Sequence, residues 1–160
     1  LYAGVIQMQY LAFAPQQVVN GCTRVRTKYP LHAGNDGRSY RASWSGGETL
    51  PVGTMLTVVG VEGHFNIDDD YPDRFLCLTG DGRLVTIFED GVLEPVETLG
   101  ISAKVSSSVR MREAPGKTAV VIRTLSKGDR VEVLLRGEGW TQVQYKGETG
   151  YVMSRYLQFP

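Results

Sequence analysis

Thr124-Leu125-Ser126-Lys127-Gly128-Asp129-Arg130-Val131-Glu132-Val133-Leu134 reads as two apolar runs joined by a turn at Lys-Gly-Asp. Upstream, Val109-Arg110-Met111-Arg112 alternates with the period of a half-buried strand and stops at Pro115-Gly116. Downstream, Gly137-Glu138-Gly139 breaks the chain before Trp140-Thr141-Gln142-Val143-Gln144-Tyr145. Lys146-Gly147-Glu148 then turns it into Thr149-Gly150-Tyr151-Val152-Met153, and Ser154-Arg155-Tyr156-Leu157 closes the stretch. Five short β-type runs in roughly fifty residues, separated by glycine turns, predict a small closed antiparallel barrel.

In order, the Arg-containing first strand ending in Pro, the Leu-x-x-Gly-Asp-x-Val-x-Val hairpin, Gly-Trp-x-x-Val, Gly-x-x-Gly-Tyr-Val and Ser-x-Tyr-Leu resemble the bacterial SH3 (SH3b) family over residues 105–158. The resemblance implies an SH3-like barrel with a ligand groove. In such barrels the Trp that starts the strand after the n-Src loop contacts ligand, which is Trp140 here. The Tyr of the closing turn, Tyr156, lines the same groove. Tyr151 and Met111 would complete an apolar floor, with Arg112 and Glu113 as the polar rim. In a domain this small, Trp140 and Tyr151 are equally suited to the core.

Residues 22–95 read as a divergent, inflated second copy. Thr49-Leu50-Pro51-Val52-Gly53-Thr54-Met55-Leu56-Thr57-Val58-Val59 matches Thr124 to Leu134 position for position. Arg24-Val25-Arg26 is aligned with Arg110-Met111-Arg112, and Phe75-Leu76-Cys77-Leu78 with Trp140-Thr141-Gln142-Val143. A spacing of about 75 residues is too long for a solenoid and fits tandem domains. The expected organisation is all-β, two tandem small SH3-like antiparallel barrels, residues 1–98 with long insertions and residues 99–160. The insertions, of about eleven and ten residues, fall at the RT-type and n-Src-type loops, where a rigid scaffold carries recognition. The first contains Tyr40 and Trp44 among Gly and Ser, rings suited to stacking on carbohydrate or peptide, or to anchoring the loop on its own barrel. The second contains His64, Asn66 and the acidic run from Asp68 to Asp73. Leu1 to Pro15 alternates (Ile6, Gln7, Met8, Gln9, Tyr10) and is expected to add an edge strand, with a short helix as the competitor.

Lys and Arg total 17 against 17 Asp and Glu, so no basic stripe argues for nucleic acid. No apolar run reaches the length of a membrane span. The chain begins at Leu1, which suggests a mature or excised fragment, and no signal peptide is legible in it. Cys22 and Cys77 lack metal-site spacing. They are either two small buried side chains or one disulfide. Cys77 lies in an apolar run, which opposes thiolate activation. Asn66-Ile67-Asp68-Asp69-Asp70 starts like a calcium loop, but Tyr71 stands where the turn Gly belongs and Cys77 where the bidentate Glu belongs. A solvated acidic loop is the expectation, with no metal and no cofactor.

The expected function is a non-catalytic binding or targeting module of a bacterial cell-envelope or cell-wall protein. As the family resemblance implies, its partner would be peptidoglycan or another peptide segment, at an extracytoplasmic or cell-surface location, with no membrane insertion. Two alternatives stay open. One is a protein–protein or regulatory module that forms homo-oligomers through the N-terminal segment. The other is an accessory fragment of a cell-wall hydrolase.

Overall fold

The structure, a computed structural model, describes residues 24–62, 72–97 and 100–160. The N-terminal segment, Cys22, His64 and the acidic run through Tyr71 lie outside the described residues. The described chain is all-β and SH3-like, apart from one 3₁₀ turn at Ser154–Tyr156. Eight strands make the first sheet: β1 (Arg24–Thr27), β2 (Leu31–Ala33), β3 (Ser39–Arg41), β4 (Thr49–Leu50), β5 (Met55–Glu62), β6 (Asp73–Thr79), β7 (Leu84–Glu89) and β8 (Leu93–Glu97). They are ordered β4-β2-β3-β7-β6-β5-β1-β8. Seven make the second: β9 (Ser102–Val105), β10 (Val109–Arg112), β11 (Val121–Leu125), β12 (Arg130–Leu135), β13 (Trp140–Tyr145), β14 (Glu148–Met153) and β15 (Leu157–Gln158), ordered β11-β10-β14-β13-β12-β9-β15.

Alternation drives both cores. Leu56 and Val58 on β5 and Phe75 and Cys77 on β6 point inward, as do Val131 and Val133 on β12. The repeat between Thr49–Val59 and Thr124–Leu134 holds down to its irregularities. The β5–β6 ladder shifts register between Val58 and Gly60, and the β12–β13 ladder shifts between Val133 and Leu135, the same place in the two aligned segments. A bulge at one matched position bends both sheets alike.

Two alignments from sequence need correction. Arg24, Val25 and Arg26 face Thr57, Leu56 and Met55, as Ser102, Ala103 and Lys104 face Glu132, Val131 and Arg130. β1 is therefore the counterpart of β9. The counterpart of β10 is β2, because Leu31↔Leu50 and His32↔Thr49 repeat Val109↔Leu125 and Arg110↔Thr124. The second error is one residue long. Val58 faces Cys77 and Val133 faces Val143, so Cys77 matches Val143 and Arg74, not Phe75, stands at the Trp140 position. A slip of one residue exchanges the faces of a strand. Phe75 accordingly points into the core, 1 % exposed.

The first insertion is also more ordered than a loop. It adds β3, which pairs in parallel with β7 through Ser39↔Thr86 and Tyr40↔Ile87. In the second sheet β10 pairs with β14 directly, through Arg112↔Tyr151. The two units meet at equivalent ends. Leu135, at the end of β12, packs in the core of the first sheet.

Candidate functional site

β13 and β14 form a hairpin whose turn sets everything that follows. Lys146 and Gly147 both take positive φ, 49° and 80°, the geometry of a two-residue turn matched to strand twist. That turn pairs Tyr145 with Glu148, and the ladder then places Trp140 opposite Met153 and Gln142 opposite Tyr151. Cross-strand partners share a face, so Trp140, Gln142, Tyr151 and Met153 project to one side. Trp140, Tyr151 and Met153 form a small apolar cluster of their own, with Tyr156 against it.

A groove of about 330 Å³ opens over this cluster, lined by Ser108, Val109, Arg110, Arg112, Thr124, Trp140, Met153 and Tyr156. Of the residues expected there, the structure brings together Trp140, Tyr156 and Arg112. Trp140 is only 4 % exposed, so its ring is at once packing and floor. Tyr156 is half-buried on the 3₁₀ turn. Its carbonyl oxygen accepts from the Ser106 N–H (2.8 Å) and hydroxyl (3.0 Å), and the Arg155 guanidinium lies 5.2 Å from its ring centre. Arg112 donates through Nη1 to the Ala119 carbonyl at 2.7 Å, which fixes its stem at the rim.

The other expected residues fall elsewhere. Met111 is fully enclosed in the second core, on the opposite face of β10 from Arg110 and Arg112. Tyr151 lies beneath the groove and does not line it. Glu113 is exposed at the turn after β10, outside the lining. Tyr40 belongs to β3, and its side chain is fully buried in the first core. Trp44 is half-buried and meets Phe88 with its ring tilted by 58°, ring centres 5.4 Å apart, and its ring covers Gly34 so closely that a Cβ there would meet it at 2.6 Å. In the shared frame Gly34 matches Arg112 and Phe88 matches Met153. Trp44 thus covers, in the first unit, two positions that line the groove in the second.

Sequence reasoning missed Val109, Arg110, Thr124 and Met153 as lining residues. Met153 was recoverable from the Lys146-Gly147 turn, which counts the hairpin register back to Trp140. Arg110 was recoverable from its alternation with Arg112. Asp73 and Glu89 were missed as well, and both are 3 % exposed. They sit opposite each other on β6 and β7 and face the second unit. Asp73, the end of the second insertion in the sequence reading, is buried at a strand start. Its carboxylate accepts from the Gly139 N–H (2.9 Å) and the Trp140 N–H (3.0 Å).

Glu89 accepts from the Gly91 N–H at 2.6 Å, and the Tyr151 hydroxyl reaches it at 3.5 Å, the outer limit of a hydrogen bond. Burial pushes the Glu89 carboxyl up to about 8; the Gly91 N–H opposes this, and Asp90 and Asp73 add to it. Burial, then the charge of Glu89, pushes the Tyr151 phenol well above its ordinary value. Cys77 is a free thiol, fully enclosed and pushed far up by burial. His32 is half-buried, with Nδ1 3.2 Å from the Thr49 hydroxyl.

The groove lies on an SH3-like, all-β frame. Residues 107–158 match the family model of the bacterial SH3 domain. No curated protein matches the chain. Among solved structures, NlpC2 from Trichomonas vaginalis is 16 % identical over 88 % of this chain and 49 % of that one, with a TM-score of 0.42. NlpC1 from the same organism is 15 % identical over 94 % and 50 %, also at 0.42. The chain spans about half the length of those structures. Among the described residues no helix is long and apolar enough to cross a membrane.

Proposed function

We propose that the protein is a non-catalytic binding module of a bacterial cell-envelope or cell-wall protein, acting outside the cytoplasm, and that its second barrel holds a peptide of peptidoglycan. The observation that carries this reading is the groove itself. An aromatic and thioether floor (Trp140, Met153), an aromatic wall (Tyr156) and two guanidinium side chains at the edge (Arg110, Arg112) suit a short peptide bearing carboxylates. The apolar floor would take the aliphatic part of the peptide, and the arginines its carboxylate groups. The match of residues 107–158 to the bacterial SH3 domain supports the choice of ligand class. Burial of Cys77 supports the non-catalytic part, since a neutral, enclosed thiol is a poor nucleophile.

The test is co-sedimentation with protein-free peptidoglycan. The parent chain is expected in the pellet, and Tyr156→Ala is expected to weaken retention by about 1–3 kcal/mol, the range for truncating an aromatic anchor. A Tyr156→Ala chain that melts and sediments like the parent would move the ligand away from this groove.

A further inference from the structure

The groove lies on the second unit, yet the turn that presents its floor is held from both units. Within the second unit, Ser154 N–H donates to the Gly139 carbonyl (2.8 Å) and the Ser154 hydroxyl to the Gly137 carbonyl (2.8 Å). From the first unit, the Asp73 carboxylate accepts the two successive N–H groups of Gly139 and Trp140. The fit allows no side chain at the turn. A Cβ on Gly137 would lie 2.3 Å from Asp73 Oδ2 and 2.3 Å from the Trp140 carbonyl oxygen. In the shared frame Asp73 is the counterpart of Gly139 itself, so the two β-strand starts meet through one carboxylate.

We propose that Asp73 is a positioning residue for the ligand groove, so that the first barrel completes the binding site of the second without touching the ligand. The inference rests on the groove reading above. Its physical basis is the direction of the bonds. Backbone N–H groups of Gly139 and Trp140 that would otherwise be buried without this acceptor are fixed by a charge-capable oxygen pair. Fixing the Trp140 backbone fixes the plane from which its indole forms the floor. The Gly-Glu-Gly run before Trp140 has two glycines and would otherwise admit many backbone states. Asp73 removes that freedom before any ligand arrives, which is preorganisation.

The experiment uses the full chain, ¹⁵N-labelled, as parent, Asp73→Asn and Asp73→Ala, with soluble muropeptides as the probe. In both variants the Gly139 and Trp140 amide protons are expected to move upfield and to exchange with solvent at least tenfold faster, while amides of β9 and β15 stay as in the parent. Muropeptide affinity is expected to fall fivefold or more in Asp73→Ala and by less in Asp73→Asn, which keeps one acceptor oxygen. A folded Asp73→Ala chain that binds like the parent would overturn the inference. Should the parent bind no muropeptide, the ligand reading has failed, and the Trp140 indole signal still decides on Asp73. If that signal is unmoved in a folded variant, Asp73 does not position the floor. If Asp73→Ala does not fold, Asp73→Asn decides: Gly139 and Trp140 amides that stay as in the parent overturn the inference.

Discussion

The two barrels share a frame and differ in what stands at one place on it. In the second, the start of β13 carries Trp140, its partner is Met153, and the space above them is open. In the first, the matched position carries Arg74, paired with Glu62 at 3.7 Å, and the matched partner is Phe88, on which Trp44 lies. The insertion that looked in sequence like a recognition loop instead adds β3, buries Tyr40 and lays Trp44 over the matched groove positions. A long loop on a small barrel has two uses for an aromatic side chain, and here packing takes it. On the proposed reading, binding falls to the second unit and support to the first.

The largest effect expected concerns the contact that joins them. Gly137→Ala would drive a methyl into the Asp73 carboxylate and the Trp140 carbonyl, and backbone cannot yield cheaply there. A loss of about 2–4 kcal/mol is expected from a urea or thermal melt, within the range for overpacking and disrupted buried polar contacts. Gly80→Ala is the control, since a methyl at that position meets nothing within 4 Å.

Next comes Glu89. Its ordinary value is 4.5 and its folded value about 8. Below pH 4.5 both folded and unfolded chains hold the proton. Between 4.5 and 8 only the unfolded chain releases it, so stability falls as pH rises through that window and levels off above it. At ~1.4 kcal/mol per unit the ceiling on this loss is about 5 kcal/mol, and relaxation around the buried carboxyl keeps the loss below it. The groups facing Glu89 are Asp73, Asp90, Tyr151 and Cys77. Melting temperatures at pH 5 and pH 9 should differ in the parent and converge in Glu89→Gln. A parent whose melting temperature is flat or rises over this window would show that the carboxyl is not enclosed.

The smallest effect separates the two aromatic sites. Trp44→Ala removes the tilted ring contact with Phe88 and should lower stability by about 1 kcal/mol. It should leave peptidoglycan retention unchanged. Loss of retention with no change in melting would reverse the roles of the two barrels.

Much of the second unit was legible in sequence because its signals are local. Strand alternation, the Lys146-Gly147 turn and the Gly-Trp step each specify structure within a few residues. The groove followed only in part. Trp140, Tyr156 and Arg112 could be placed from motif positions, but Met111 fell on the inner face of its strand and Glu113 beyond the strand end. The first unit misled for two physical reasons. Phe75 is the aromatic residue nearest the Trp140 position, yet the register places Arg74 there and turns Phe75 to the inner face. The parallel pairing of β3 with β7 is a contact between residues 47 apart in the chain, and no short pattern encodes it. Asp73 and Glu89 were invisible because an acidic residue beside other acidic residues reads as solvated. Both contact the second unit across more than sixty residues of sequence, which no local pattern shows.

The central claim is that the ligand meets the second barrel's aromatic floor and not the first barrel's covered one. The chain has two tryptophans, one at each place, so indole N–H signals in a ¹⁵N spectrum report the two sites separately. On titration with muropeptides the Trp140 indole signal should shift in proportion to saturation while the Trp44 signal stays fixed. A shift of Trp44 with Trp140 unmoved would contradict the account.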